Sequence, residues 1–308
     1  MSNRITVLFG VTMDDERFSR TAQVMAFFRA LESARPASVR LLEDPLAMAV
    51  LPRAFRDVVR LSRFKLPRRI IDAFIDRRWP GARTSAIART RLIDDWLTTA
   101  VREGASQVVL LGAGFDSRAW RLQALSRAAV FEIDHPATSR EKRNRLVAAQ
   151  LDPSRIVQVT VDFERESLTN ALVTGGFNRQ CRTAVIWEGV TNYLTEAAVA
   201  AILRWVGGLA PGSALAFTYV HAGLLSDPTS FDGGEDILAA VAEAGETWTY
   251  GIDPGELGTR LQADGLVLIE DLGADEYRSR YWQSATGRWR GYAFYHAARA
   301  AVPEHAKA

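Results

Sequence analysis

"VVLLGAGFDSRAWRL", residues 108–122, is the stretch from which the rest of the chain is read. Val108, Val109, Leu110 and Leu111 run directly into Gly112-Ala113-Gly114, followed by Asp116 and a segment able to open a helix. A short apolar run stopped by glycine has the form of a strand covered on both faces. Glycines lack a Cβ, so they permit unusual backbone angles and a close approach of a ligand to the main chain. With 22 glycines in the chain, one Gly-x-Gly pair reads equally well as a plain tight turn. The dinucleotide fingerprint asks for a third Gly or Ala, and here Ser117 holds that position. Asp116 or Ser117 can also serve as the N-cap of the following helix.

Working outward, the same alternation recurs. "AAVFEID" (128–134), "IVQVTVDF" (156–163), "TAVIWEGV" (183–190) and "ALAFTYV" (214–220) are apolar runs separated by helical stretches such as 135–150 and 195–209. Strand and helix in alternation predict a parallel sheet with right-handed crossovers and helices on both faces, a doubly wound α/β fold. At the C-terminal end "GLVLIEDLG" (265–273) and "GYAFYHAARA" (291–300) are strand-like and predict an antiparallel pair. The polar, aromatic segment between them, 274–290, shows little helical periodicity. Upstream, residues 21–103 carry apolar residues at helical spacing, broken by Pro36, Pro45, Pro52, Pro67 and Pro80. No repeat or linker offers a cut, so one domain spans 1–308: a helical N-terminal portion or cap (1–104) and a Rossmann-like core (105–308) with a lid-like insertion at 221–255.

Composition narrows the partners. Lys plus Arg is 38 against 36 for Asp plus Glu, and a net charge of +2 gives little pull toward nucleic acid or anionic lipid. A small-molecule partner is expected, with neither nucleic acid nor membrane. Arginines cluster in "RLSRFKLPRRI" (60–70) and "IDRRW" (75–79), interleaved with apolar residues, and read as solvated helix faces with no ligand. The single Cys181 supports no intramolecular disulfide and no cysteine-rich metal site, and inert packing is its expected role. No signal peptide and no apolar run of about 18 residues is visible, so a cytoplasmic location is expected.

In an open parallel sheet ligands bind beyond the carboxyl ends of the strands, so those ends hold the candidate chemistry. Asp134 closes the second run about twenty residues after the glycines, where a ribose diol would be gripped, and Glu132 is a second candidate on the same strand face. Asp162 and Phe163 close the third run and could meet an exocyclic amine and an adenine ring. Glu188 follows the fourth run, where an acid could hold an ammonium or face a sulfonium. In "IARTRLIDDWL" the planar fork of Arg89 suits a ligand carboxylate, and Arg91 lies on another face of the same helix.

Taken together, "LLGAGFDSRAWRL", "FEIDHP", "VTVDFE" and "WEGVTNYLTEAAVAAIL" resemble the leucine carboxyl methyltransferase family, in particular its bacterial branch related to polyketide carboxyl O-methyltransferases. The likeness extends through "RTAQVMAFFRALES" and "YGIDPGELGTRLQADGL" to nearly the whole chain. It implies a class I methyltransferase fold with a mostly parallel seven-stranded sheet and S-adenosyl-L-methionine as cofactor. By the same resemblance Arg89 would bind the methionyl carboxylate and Gly112 and Gly114 would lie along the methionyl part. Asp134 would hold the ribose, Asp162 and Phe163 would contact adenine, and Glu188 would sit beside the amino end. The expected reaction is O-methylation of a small-molecule or peptide carboxylate, or of a hydroxyl.

Thr191 and Asn192 stand where such proteins commonly carry apolar residues, which leaves the acceptor open. An ionised carboxylate needs no general base, whereas a hydroxyl does; Tyr193, Tyr219 and His221 are the candidate catalytic residues on that side. Two other readings remain at this point: an NAD(P)-dependent oxidoreductase, against which Ser117 and the terminal strand pair count, and a nucleoside-binding protein without turnover.

Overall fold

The computed structural model describes residues 20–160, 168–243, 245–282 and 292–304. The chain begins with α1 (Arg20–Ser33), α2 (Arg53–Leu61), α3 (Lys65–Arg78) and the long α4 (Ala82–Arg102). β1 (Gln107–Leu111) leads through the short α5 (Arg118–Arg121) to β2 (Ala129–Asp134), and α6 (Pro136–Ala148) leads to β3 (Val157–Thr160). Then come α7 (Leu168–Thr174), β4 (Thr183–Trp187), α8 (Glu196–Gly207) and β5 (Ala214–Val220). The chain continues through α9 (Ala222–Ser226), α10 (Gly234–Glu243), α11 (Pro254–Ala263), β6 (Val267–Leu272), α12 (Ala274–Tyr281) and β7 (Tyr295–Ala301).

Among the described residues the strands form one seven-stranded sheet in the order β3-β2-β1-β4-β5-β7-β6. β3, β2, β1, β4 and β5 pair in parallel, with Val109 opposite Phe131 and Val185. β7 lies antiparallel between β5 and β6, as in class I methyltransferases. Every residue of β1 and β4 is buried, which is why these strands read as unbroken apolar runs rather than alternating ones.

Successive side chains feed two cores. Val108, Leu110, Ile186 and Ala216 face a layer that contains Phe27 of α1, Ile87 and Ile93 of α4 and Tyr277 of α12. Val109, Leu111, Trp187 and Phe217 face Leu172 of α7, Leu203 of α8 and Leu257 of α11. The N-terminal helices thus share a hydrophobic core with the sheet. α4 takes this central place because alanines, serine and threonine in its first turns let it pack closely, leaving Arg83, Arg89 and Asp94 buried. Buried charges of this kind require partners.

One element differs from the sequence reading. Residues 274–281 are helical, not irregular: Gly273 N–H donates to Glu276 Oε2 at 2.6 Å, and Ala274, Tyr277 and Arg278 are turned inward. Burial at i, i+3 and i+4 is helical spacing, but it is carried by a tyrosine and an arginine, which a hydrophobic pattern does not register.

Candidate active site

The turn after β1 folds back onto β2. Gly112 and Ala113 both donate their N–H to the Ile133 carbonyl, at 2.8 and 3.1 Å. Gly112 and Gly114 have φ of +64° and +48°, in the left-handed region that favours glycine. A Cβ on Gly112 would lie 2.4 Å from Val190 Cγ2, and one on Gly114 3.2 Å from Ala22 Cβ. The bareness of this turn therefore also serves packing, since it lets the chain after β4 and helix α1 close on it.

Asp134 is tied into the same turn. Its Oδ2 accepts from Gly114 N–H at 2.5 Å and its Oδ1 from His135 N–H at 2.7 Å. Burial lifts its carboxyl above the ordinary aspartate value although both hydrogen bonds oppose the shift. His135, not Asp134 or Glu132, caps α6, its Nδ1 accepting from Ala137 N–H at 3.3 Å. Glu132 is withdrawn from the site: it is buried and bound through both oxygens to Lys142 Nζ at 2.7 Å. Burial pushes its carboxyl up to about 7 against the opposing pull of Lys142.

The acid at the end of β4 is the hub of a buried ionic network. Glu188 Oε1 accepts from Arg89 Nε at 3.0 Å and Oε2 from Arg118 Nη2 at 2.8 Å. Burial alone would raise the Glu188 carboxyl, but Arg118 and Arg89 more than offset it and hold it below the usual glutamate value. Arg118 also donates from Nε to Asp94 at 2.8 Å and pairs with Asp116 through Nη1 and its own backbone N–H. Arg121 binds both oxygens of Asp94, while Ser117 and Arg29 converge on Asp44 at 2.6 and 2.8 Å. Four arginines (29, 89, 118, 121) thus face four carboxylates (Asp44, Asp94, Asp116, Glu188), which makes the network neutral. Arg89 further lies with its guanidinium 4.4 Å from the centre of the Tyr295 ring.

A pH prediction follows from Asp116. Burial raises its carboxyl, and Arg118, Lys142 and Arg121 overcome that and bring it down to about 2. A carboxyl whose pKa is depressed on folding stabilises the native state above its unfolded value near 3.8, and that contribution is lost as the pH falls toward 2. Urea unfolding between these limits is expected to show a steeper loss of stability for the native chain than for Asp116→Asn. Parallel profiles would remove Asp116 from the network.

The acceptor-side candidates are less convergent. Tyr193 lies edge-on to Trp248, ring centres 6.4 Å apart, and Trp248 edge-on to Tyr295 at 6.2 Å. Burial, and then Glu246, push the Tyr193 phenol above its ordinary value. Tyr219 points into the opposite core, away from α4. Its hydroxyl donates to Asp271 Oδ2 at 2.6 Å and its ring stacks on His296. His221 Nδ1 accepts from Gly223 N–H at 3.0 Å, capping α9. Asp162 and Phe163 lie outside the described residues. Arg89, Gly112, Gly114, Asp134 and Glu188 are therefore brought together through the β1 turn, α4 and the β4 end, whereas Tyr219 and His221 are held by other partners.

Sequence reasoning missed Arg118 and Asp94. "DSRAWR" after the glycine turn shows no more than Arg118 two residues beyond Asp116, one of the carboxylates it pairs with. The loop after β4 is secured by Thr218, which accepts from Gly189 N–H at 2.8 Å through its hydroxyl and from Thr191 Oγ1 at 2.6 Å through its carbonyl. The insertion joins the same loop, because Thr249 N–H donates to the Asn192 carbonyl at 2.8 Å. Asn192 Oδ1 is itself buried with no partner among the described residues.

The family model described as leucine carboxyl methyltransferase matches residues 22–207. A Frankia alni protein, provisionally named an S-adenosyl-L-methionine-dependent methyltransferase, is 35% identical over 272 residues, which is 87% of each chain. A Streptomyces coelicolor protein of the same provisional name is 37% identical over 209 residues, 64% of each chain. Among solved structures, a provisionally named methyltransferase of Thermobifida fusca YX superposes with a TM-score of 0.59 at 17% identity, covering 90% of this chain and 94% of that one. A duf574 family protein of Streptomyces avermitilis gives 0.57 at 15% identity, with 93% and 98% covered. These two structures bear on the fold alone.

Proposed function

The chain belongs to the leucine carboxyl methyltransferase family, and on that footing we propose that it transfers a methyl group from S-adenosyl-L-methionine to a small-molecule carboxylate. S-adenosyl-L-methionine supplies an electrophilic methyl on a sulfonium, and the residues at the β1 and β4 ends have the chemistry to hold it. The observation that carries the reading is Glu188, kept ionised by two arginines at the mouth of the glycine turn. Such a carboxylate can accept from an ammonium and lie against a sulfonium.

The fit can be followed group by group. Among the described residues Arg89 gives Nε to Glu188 and Nη2 meets the Met25 sulfur at 3.8 Å, so its outer N–H groups can donate to an amino-acid carboxylate. Each Asp134 oxygen accepts one backbone N–H, and the carboxylate, which the Thr138 hydroxyl also meets, retains acceptor capacity for a ribose hydroxyl. The orphaned Asn192 Oδ1, four residues beyond Glu188, is a further acceptor that a polar ligand would satisfy.

A carboxylate acceptor is preferred to a hydroxyl because the candidate bases are otherwise engaged. Tyr219 is bonded to Asp271, and both burial and that bond hold its phenol above the ordinary value. His221 has committed one ring nitrogen to a helix cap. An acceptor already ionised at neutral pH asks only for alignment and exclusion of water, which the half-buried Tyr193 and Trp248 and the buried Tyr295 are suited to provide.

The test uses S-adenosyl-L-methionine labelled in its methyl group, incubated with the protein and a library of acidic and phenolic small molecules. Label released as methanol by mild alkali identifies a methyl ester and supports a carboxylate acceptor. Alkali-stable label identifies an ether and contradicts it.

A further inference from the structure

The α2–α3 hairpin presents to solvent a face unlike a simple solvated helix. Leu61, Phe64, Leu66, Ile70 and Phe74 are between 42% and 68% exposed. On α3, Leu66, Ile70 and Phe74 fall at i, i+4 and i+8 and so form one outward stripe, while Ile75 is buried beneath the helix. Phe64 and Lys65 lie at the tip where the two helices meet.

The charges are segregated around that stripe. The two carboxylates of α3 are neutralised by arginines behind the helix, Asp72 by Arg35 at 2.6 Å and the part-exposed Asp76 by Arg83 at 2.8 Å. Arg63, Lys65, Arg69 and Arg77 stay exposed with no ion pair among the described residues. The outer face is therefore apolar along its ridge and cationic on its flanks, although the whole chain carries only +2.

We infer that this face docks the protein on an anionic lipid surface. Protruding Phe and Leu side chains can enter the boundary between headgroups and acyl chains, while Arg and Lys meet lipid phosphates at headgroup depth. Charge selects this occupant over a second copy of the chain: a symmetric pairing would set two unneutralised cationic rims against each other. The docking is peripheral, since no helix among the described residues is long and apolar enough to cross a membrane. The basic run 60–70, read from the sequence as a solvated face, thus gains a partner, because Leu61, Phe64, Leu66 and Ile70 within it do not turn inward. This inference is independent of the reaction performed at the glycine turn.

Co-sedimentation of the full chain with vesicles tests it. Binding is expected to vesicles of phosphatidylcholine mixed with roughly a third phosphatidylserine, to be weak on phosphatidylcholine alone, and to fall as salt rises toward about 0.5 M. Arg69→Glu with Arg77→Glu is expected to weaken binding to the mixed vesicles by about tenfold or more. Leu66→Ser with Ile70→Ser should weaken it at unchanged charge. All four positions are exposed, so melting temperature and cofactor affinity should not move. No binding to mixed vesicles overturns the inference, as does binding that both double variants leave intact. Apolar contact between copies would instead appear in ultracentrifugation as a dimer lost on Leu66→Ser with Ile70→Ser, and that result also overturns it.

Discussion

Arg118→Met is expected to destabilise the protein by about 3 to 5 kcal/mol, the range for removing one member of a buried ionic network. In a chain of this size that lowers the melting temperature by roughly 5 to 8 °C. Methionine fills similar space without donating. Glu188 would keep Arg89 and Asp94 would keep Arg121, but Asp116 would lose both its side-chain ion pair and the cation that does most to hold its carboxyl down. The cost therefore comes mainly from a stranded carboxylate. Adding Asp116→Asn to Arg118→Met should recover part of the loss, and a double-mutant cycle measures the coupling. Arg118→Lys should recover little, because one ammonium cannot reproduce a fork that reaches Asp94, Asp116 and Glu188 at once. A melting temperature within about 2 °C of the parent would show that the network carries no such weight.

Asp134→Ala is expected to weaken binding of S-adenosyl-L-methionine at least about tenfold, since hydrogen bonds to a charged group contribute about 1.5 to 3 kcal/mol each. The side chain sits at the tip of β2 and its partners are local, the N–H groups of Gly114 and His135 and the Thr138 hydroxyl, so the fold should be little affected. Calorimetric titration of parent and variant, with circular dichroism as the control for folding, checks both halves of the statement. An unchanged dissociation constant would remove Asp134 from the ribose. Asp134→Asn separates charge from shape: its single carbonyl oxygen can keep only one of the two local N–H bonds, its amide nitrogen cannot accept the other, and it should lose affinity for paired hydroxyl donors.

What the sequence made legible was the part set by local pattern. β1 and β4 are short apolar runs ended by glycine or an acid, and burial on both faces leaves no other reading. Asp134 and Glu188 could be picked out because strand ends in such sheets open on one side. Contacts between distant segments were not legible. Nothing in "DSRAWR" states that Arg118 bridges α4 to the end of β4, and nothing around Ala22 states that it closes on Gly114. Facing was also hidden at Tyr219. Adjacency to a strand end does not say which side of the sheet a residue takes, and this one turns toward Asp271 and His296, away from the layer that holds Arg89. Helix α12 escaped because its inward positions are Tyr277 and Arg278. The exposed apolar stripe of α3 escaped because helical spacing fixes that residues share a face, not whether the face is covered.

The central claim is that Arg89, Glu188, the Gly112–Gly114 turn and Asp134 surround one adenosyl cofactor. A crystal structure of the protein soaked with S-adenosyl-L-homocysteine measures this directly. The account predicts both ribose hydroxyls within hydrogen-bonding distance of Asp134, the amino-acid carboxylate on the outer nitrogens of Arg89, and the amino group beside Glu188. Ligand density elsewhere, with the Arg89–Glu188–Arg118 network facing no bound group, would contradict it.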